Sequence, residues 1–309
     1  MNQEKLIFIV SLPRSGSTLL QALLSNHSNV TTANEPWLLF PFIGYTQKDL
    51  FLSRVGMDLI NEGINGFIYK SGGNEMYKKE VQRFILSLYQ NLNKNENKYV
   101  LDKTPRYYEI LNEIREFFPK AKIIVLKRHP LAVLNSIKNT WASSPNKLHP
   151  FYSDLISGPK LINEFLKSDP NSLCVKYEDL VENPLSIMTD IYNYVGLIGT
   201  PNLNYSENNT FKGGFGDFHG INNHNFAHIK SINSWKGLFN NRKWKMFAKG
   251  YMNSLSEGFL KEYGDYEYIR SKKTKAFESF SFFGKYALHK PRILKYKLIK
   301  YYLKKYISF

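Results

Sequence analysis

The sequence predicts an α/β protein, a three-layer α/β/α arrangement around a central parallel sheet. Two observations predict it. Short apolar runs of the kind that form fully buried strands recur along the chain, and each is followed by a turn and then by helical apolar spacing. Strands that alternate with helices pair in parallel, are covered on both faces, and bind ligands beyond their carboxyl ends.

The elements follow in order. Leu6-Ile7-Phe8-Ile9-Val10 is the first strand, and after a turn of Pro, Gly and small residues Thr18 to Leu24 carries the spacing of a buried helix. Tyr99-Val100-Leu101 reads as a short strand. Arg106 to Phe118 reads as a helix stopped by Pro119, and Lys122-Ile123-Ile124-Val125-Leu126 as a buried strand that enters a helix at Pro130. Leu173-Cys174-Val175-Lys176-Tyr177 is a further strand, with a helix after Pro184. Asn91 to Lys98 is a solvated loop, and no internal repeat is present.

With 309 residues, 43% of them hydrophobic, the chain can bury one large core. The expected division is a domain over residues 1–270 and a basic aromatic tail over 271–309. The formal charge of +16 is uneven: the tail carries eleven Lys or Arg against Glu278, which leaves +6 on residues 1–270. Such a charge points to anionic partners. No nucleic-acid-binding motif accompanies it, so a specific nucleic-acid partner is not expected. Within 291–306 the spacing of Leu294, Leu298, Tyr301 and Tyr302 predicts a helix ringed by lysines. Through residues 285–309 it can make peripheral contact with an anionic membrane or dock its apolar face on the domain. The single cysteine, Cys174, excludes an internal disulfide. No apolar run reaches the roughly 18 residues of a membrane span, and Leu6 to Val10 is too short for a secretion signal. The expectation is a cytoplasmic protein starting at Met1.

Ser11-Leu12-Pro13-Arg14-Ser15-Gly16-Ser17-Thr18 occupies the first strand-to-helix turn, where backbone N–H groups and the helix N-terminus create an anion site. Against the nucleotide-triphosphatase pattern G-x-x-x-x-G-K-[ST], Ser11 stands at the first Gly and Ser17 at the Lys, while Gly16 and Thr18 are kept. The turn is P-loop-like, yet it lacks the lysine that reaches a γ-phosphate. It suits a donor whose terminal group carries less charge.

Leu12-Pro13-Arg14-Ser15-Gly16-Ser17-Thr18-Leu19-Leu20 resembles the 5′-phosphosulfate loop of sulfotransferases that use 3′-phosphoadenosine 5′-phosphosulfate (PAPS), closer to the tyrosylprotein and glycan type than to the cytosolic small-molecule type. The resemblance implies donor binding by Pro13, Arg14, Ser15, Gly16, Ser17, Thr18 and Leu19. It also implies a 3′-phosphate site at Arg128 and Ser136, within Arg128-His129-Pro130…Ser136. Tyr177-Glu178-Asp179-Leu180 with Asn183-Pro184 resembles a further family segment, in which Tyr177 approaches the nucleotide. Glu178 and Asp179 are expected to cap the helix that follows. Gly213-Gly214-Phe215-Gly216-Asp217 and Ile229 to Trp235 resemble the late segment that closes over the nucleotide, although Asn233-Ser234-Trp235 departs from the family's K-W or S-x-W pattern there; Ser234 is expected in contact, and Trp235 either there or in the core.

The resemblance implies chemistry at three positions. Glu35, in Asn34-Glu35-Pro36-Trp37, is the expected base for the acceptor proton. Lys103, in Asp102-Lys103-Thr104-Pro105, and Arg14 are expected to stabilise the charge of the transferring group. No Cys/His ligand spacing calls for a metal. Among the histidines, His27 reads as a helix C-cap, His129 as structural, and His149 as the reserve base. The implied function is sulfuryl transfer from PAPS to a hydroxyl or amine of a saccharide, lipid or metabolite. A small-molecule kinase with a degenerate loop is the alternative, against which Ser17 argues.

Overall fold

The computed structural model of the protein describes residues 1–44, 57–93, 98–204, 232–255 and Glu262. Five parallel strands form one sheet: β1 (Leu6–Ser11), β2 (Val30–Asn34), β3 (Tyr99–Lys103), β4 (Lys122–Lys127) and β5 (Leu173–Lys176), in the order β2-β3-β1-β4-β5. All six residues of β1 are buried. Side chains of a strand alternate between faces, so a strand buried at every position has both faces covered.

The register puts the carboxyl ends of the central strands side by side. Ile9 lies opposite both Lys103 of β3 and Ile124 of β4, and Ser11 opposite Leu126. Asn34, the last residue of β2, lies opposite Lys103. After β3 the chain crosses β1 to form β4, so the strand order reverses about β1. That is where ligands of open parallel sheets bind.

The helices are α1 (Ser17–Ser25), α2 (Phe40–Ile43), α3 (Met57–Lys70), α4 (Gly73–Leu92), α5 (Leu111–Phe117), α6 (Pro130–Thr140), α7 (Gly158–Ser168), α8 (Tyr177–Glu182), α9 (Pro184–Val195) and α10 (Arg242–Ser254). Three details differ from the sequence reading. The expected helix from Arg106 begins as a 3-10 segment, Pro105–Ile110, and becomes α-helical only at Leu111, because Tyr107 and Tyr108 are drawn into the core. The strand expected to end at Tyr177 stops at Lys176, and Tyr177 opens a helix of its own, so Glu178 and Asp179 sit in the first turn of α8 instead of capping α9. The third concerns α1, which ends at Ser25 with Asn26 as C-cap. His27 lies beyond it and uses its ring to accept from the Asn29 N–H and to meet the Ile198 carbonyl.

The chain divides into two compact units, residues 1–128 with 161–229, and residues 129–160 with 230–309. The first holds the whole sheet. The second contains α6, the 3-10 segment Ser234–Asn240 and α10, which pack on one another. The expected boundary at residue 270, the basic tail and residues 213–217 and 229–231 of the late segment lie outside the described residues. Among the described residues no helix is long and apolar enough to cross a membrane.

Candidate active site

The turn after β1 is built around a close approach. Arg14 adopts φ +70° and Gly16, the N-cap of α1, adopts φ +91°. Positive φ is uncommon for arginine and easy for glycine. A Cβ placed on Gly16 would lie 2.3 Å and 2.4 Å from two ring carbons of Tyr177, so glycine is required there twice over. The Arg128 guanidinium stacks on the same ring, 4.2 Å from its centroid, and its Nη1 donates to the Arg14 carbonyl at 2.9 Å. Residues from three strand ends thus lock one loop.

Burial pushes the Arg128 guanidinium below its usual range, with Tyr177 and Glu178 opposing that shift and Arg14 adding to it. An arginine stays charged even so. Ser15 is fully buried, and its hydroxyl has no hydrogen-bond partner among the described residues. The first amides of α1 have no acceptor within the helix. A buried hydroxyl and free helix N–H groups on one turn fit an oxyanion of a nucleotide donor.

Lys103 and Glu35 meet beside this loop. Lys103 closes β3 and Glu35 follows directly on β2, so the register of the two strands brings them together. Lys103 Nζ donates to Glu35 Oε1 at 2.7 Å. The lysine side chain is 1% exposed and the glutamate 16%. A buried ammonium requires such a partner, while the carboxylate remains accessible from one side.

Asp102, the neighbour of Lys103, is 1% exposed. It accepts hydrogen bonds from Tyr89 Oη at 2.6 Å, Thr104 Oγ1 at 2.8 Å and Tyr107 Oη at 3.2 Å. Burial raises its pKa to about 6, against the pull of those three hydroxyls and of Lys103. The Tyr107 hydroxyl also accepts from the Leu39 N–H at 3.0 Å. This network was not legible beforehand. The signal for it was a carboxylate inside an otherwise apolar strand, Tyr99-Val100-Leu101-Asp102.

Pro13, Ser17, Thr18 and Leu19 lie in or next to the loop, with Ser17 buried at the start of α1. Ser136 is half-buried in α6, and Ser234 is exposed at the start of its 3-10 segment. Both belong to the second unit, whereas Arg128 ends a segment of the first. Within the second unit Asn135, a neighbour of Ser136 that sequence reasoning missed, donates to Ser234 Oγ at 3.4 Å. Its signal was a polar side chain in the buried run Leu131 to Ile137. His129 accepts from the Leu131 N–H, which caps α6, and stacks on Trp235 at 4.6 Å. Trp235 is 1% exposed and serves as core. The side chain of His149 lies outside those described. Among the described residues no group of His, Cys, Asp and Glu is placed to hold a metal ion.

The family model described as the sulfotransferase family matches residues 7–201, a span that takes in the loop, Glu35, Lys103, Arg128, Ser136 and Tyr177. The chain belongs to the sulfotransferase family. The chain is 33% identical over 136 residues to the nodulation protein NoeE of Sinorhizobium fredii, a match covering 43% of this chain and 31% of that one. It is 24% identical over 197 residues to protein-tyrosine sulfotransferase 1 of Danio rerio, covering 62% and 53% respectively. The matched stretch thus spans about a third and about half of those relatives. Among solved structures, the sulfotransferase domain from the curacin biosynthetic pathway aligns with a TM-score of 0.52 at 25% identity, covering 74% of this chain and 89% of that domain. The sulfotransferase domain of the Synechococcus PCC 7002 olefin synthase aligns with a TM-score of 0.52 at 26% identity, covering 75% and 86%. The fold is therefore the P-loop-like α/β fold of these sulfotransferase domains.

Proposed function

We propose that this sulfotransferase takes its sulfuryl group from PAPS and delivers it to a hydroxyl or amine of a saccharide, lipid or metabolite, with Glu35 as base. One observation carries the proposal: a buried lysine and a partly exposed carboxylate, 2.7 Å apart, stand at the carboxyl edge of the sheet beside an anion loop that has Ser17 in place of a γ-phosphate lysine.

The residues of the loop fit the donor. The Ser15 hydroxyl and the first amides of α1 supply donors for the 5′ phosphate end, and the glycine at 16 keeps the turn free of a Cβ. Arg128 and Ser136 are assigned to the 3′-phosphate, with Tyr177 and Ser234 as further nucleotide contacts. When bound, the donor supplies an activated sulfuryl group joined to a phosphate that departs with the bonding electrons. Glu35 takes the proton of the acceptor hydroxyl as the new oxygen–sulfur bond forms. Lys103 and Arg14 hold positive charge where negative charge builds up, the lysine in a setting shielded from water.

Titration calorimetry of the protein with adenosine 3′,5′-bisphosphate tests the donor assignment, and absence of any heat for well-folded protein removes it. Transfer of label from PAPS to extracted acceptors by wild type, and its loss in Glu35→Gln with donor affinity kept, tests the base.

A further inference from the structure

The segment that carries Glu35 is held from behind. Past Glu35 and Pro36 the chain passes through Trp37 at φ +54°, a left-handed conformation that costs energy for a non-glycine residue and must be held by its surroundings. Trp37 stacks on Phe40 at 5.5 Å, Phe40 packs on the Tyr107 ring at 5.3 Å, and the Leu39 N–H donates to the Tyr107 hydroxyl. That hydroxyl donates in turn to Asp102. Asp102 and Lys103 are consecutive on β3 and point to opposite faces of the sheet. One strand end therefore touches Glu35 directly through Lys103 and, on its other face, grips the backbone four residues beyond Glu35.

We propose that Asp102 is a positioning residue for sulfuryl transfer: through Tyr107 and the Leu39 amide it sets the course of residues 35–40, and so where the Glu35 carboxylate lies on Lys103. The inference rests on Glu35 being the base. Asp102 lies on the face of β3 opposite Lys103, and its hydrogen-bond partners are Tyr89, Thr104 and Tyr107, so its effect should appear in turnover and not in nucleotide affinity. The titratable groups around it are Tyr89 from α4, Tyr107 from the 3-10 segment, and Lys103 of its own strand. Both tyrosines are held well above their usual range by burial first and by Asp102 next, so neither changes charge below pH 10. Asp102 is the group of the network that titrates. Ionised, it accepts all three hydroxyls; protonated, it gives up one acceptor position, and the grip on Tyr107 loosens.

The test compares two single-atom deletions. Tyr107→Phe removes the link between Asp102 and Leu39, whereas Tyr89→Phe removes a shorter bond to the same carboxyl but lies off the path to Glu35. Tyr107→Phe is expected to lower kcat by roughly tenfold to a hundredfold, the loss that a misplaced catalytic group brings. Tyr89→Phe should stay within about threefold, and both should bind adenosine 3′,5′-bisphosphate like wild type. Amide exchange at Leu39 should accelerate in Tyr107→Phe and not in Tyr89→Phe. Wild-type kcat should rise as pH passes through about 6, and Asp102→Asn should lose that inflection. Equal losses in kcat for the two tyrosine variants, in proportion to their loss of stability, overturn the proposal, and so does unchanged Leu39 exchange in Tyr107→Phe. The exchange readout does not depend on what Glu35 does. If Glu35→Gln keeps full turnover while Leu39 exchange responds as expected, the base assignment has failed and the positioning of the segment stands.

Discussion

The described residues of the two units carry charge in opposite ways. In residues 1–44, 57–93, 98–128 and 161–204, sixteen Lys and Arg are matched by sixteen Asp and Glu, for a formal charge of zero. In residues 129–160 and 232–255 with Glu262, eight cations meet only Asp154 and Glu262, for +6. Pairing follows the same division. The first unit holds Lys103 against Glu35, Arg115 against Asp169 at 2.8 Å, Lys120 against Glu4 and Lys78 against Glu75 and Glu116. In the second, none of Arg242, Lys243, Lys245 and Lys249 meets a carboxylate among the described residues, and Lys249 is pushed below its usual range by burial and by Lys245. Charge in the first unit is placed one residue at a time and acts at fixed points. The cations of α10 meet no carboxylate among the described residues and act together as a field.

Ways to sharpen this contrast can be ranked by the size of effect expected. The largest belongs to the fixed charges: Glu35→Gln should lower kcat by at least about 100-fold, as loss of a general base does, with calorimetric affinity for adenosine 3′,5′-bisphosphate preserved. Next, Gly16→Ala drives a Cβ into the Tyr177 ring at a backbone angle that alanine resists. It should cost about 2–3 kcal/mol in denaturant unfolding, and nucleotide affinity should fall with it. The combination Gly16→Ala with Tyr177→Ala should recover part of the stability, because the clash partner is gone.

The buried carboxyl provides a pH test of similar size. Asp102 binds its proton more tightly in the folded state, at about 6 against an ordinary 3.8. Between those values the native protein holds more protons than the unfolded chain, so stability from this group is present at low pH and declines as pH rises through 6. The whole effect is worth roughly 3 kcal/mol. Asp102→Asn should flatten that part of the stability–pH curve, measured by urea unfolding from pH 4 to 7. The smallest stability effect belongs to the second unit. Reversing Arg242 and Lys243 to Glu should change stability by no more than about 0.5 kcal/mol, while retention on a cation-exchange matrix falls clearly. A large stability loss there would break the contrast, since it would mean that the charges of α10 are held at fixed points after all.

How much could be read in advance differs between parts of the site. The loop from Leu12 to Thr18 was legible because a strand, a small-residue turn and a helix are consecutive in the chain, and local order alone produces an anion site. The strands were legible too, since β1 and β4 are unbroken apolar runs. Asp102 with Tyr89 and Tyr107 was not, because nothing local distinguishes a carboxyl that will be buried under two tyrosines from one that will meet water. The packing of Tyr177 against Gly16 was hidden for the same reason: the two are 161 positions apart.

By itself, then, the chain's order of apolar runs and turns dictated a parallel sheet and an anion loop, because hydrophobic periodicity and turn chemistry are properties of neighbouring residues. Only the tertiary structure decided that Lys103 would find Glu35, that Arg128 would lie on Tyr177 beneath the loop, and that Asp102 would hold its proton to about pH 6. Those outcomes depend on strand register and on the removal of water. Both exist only once the sheet has closed around its core.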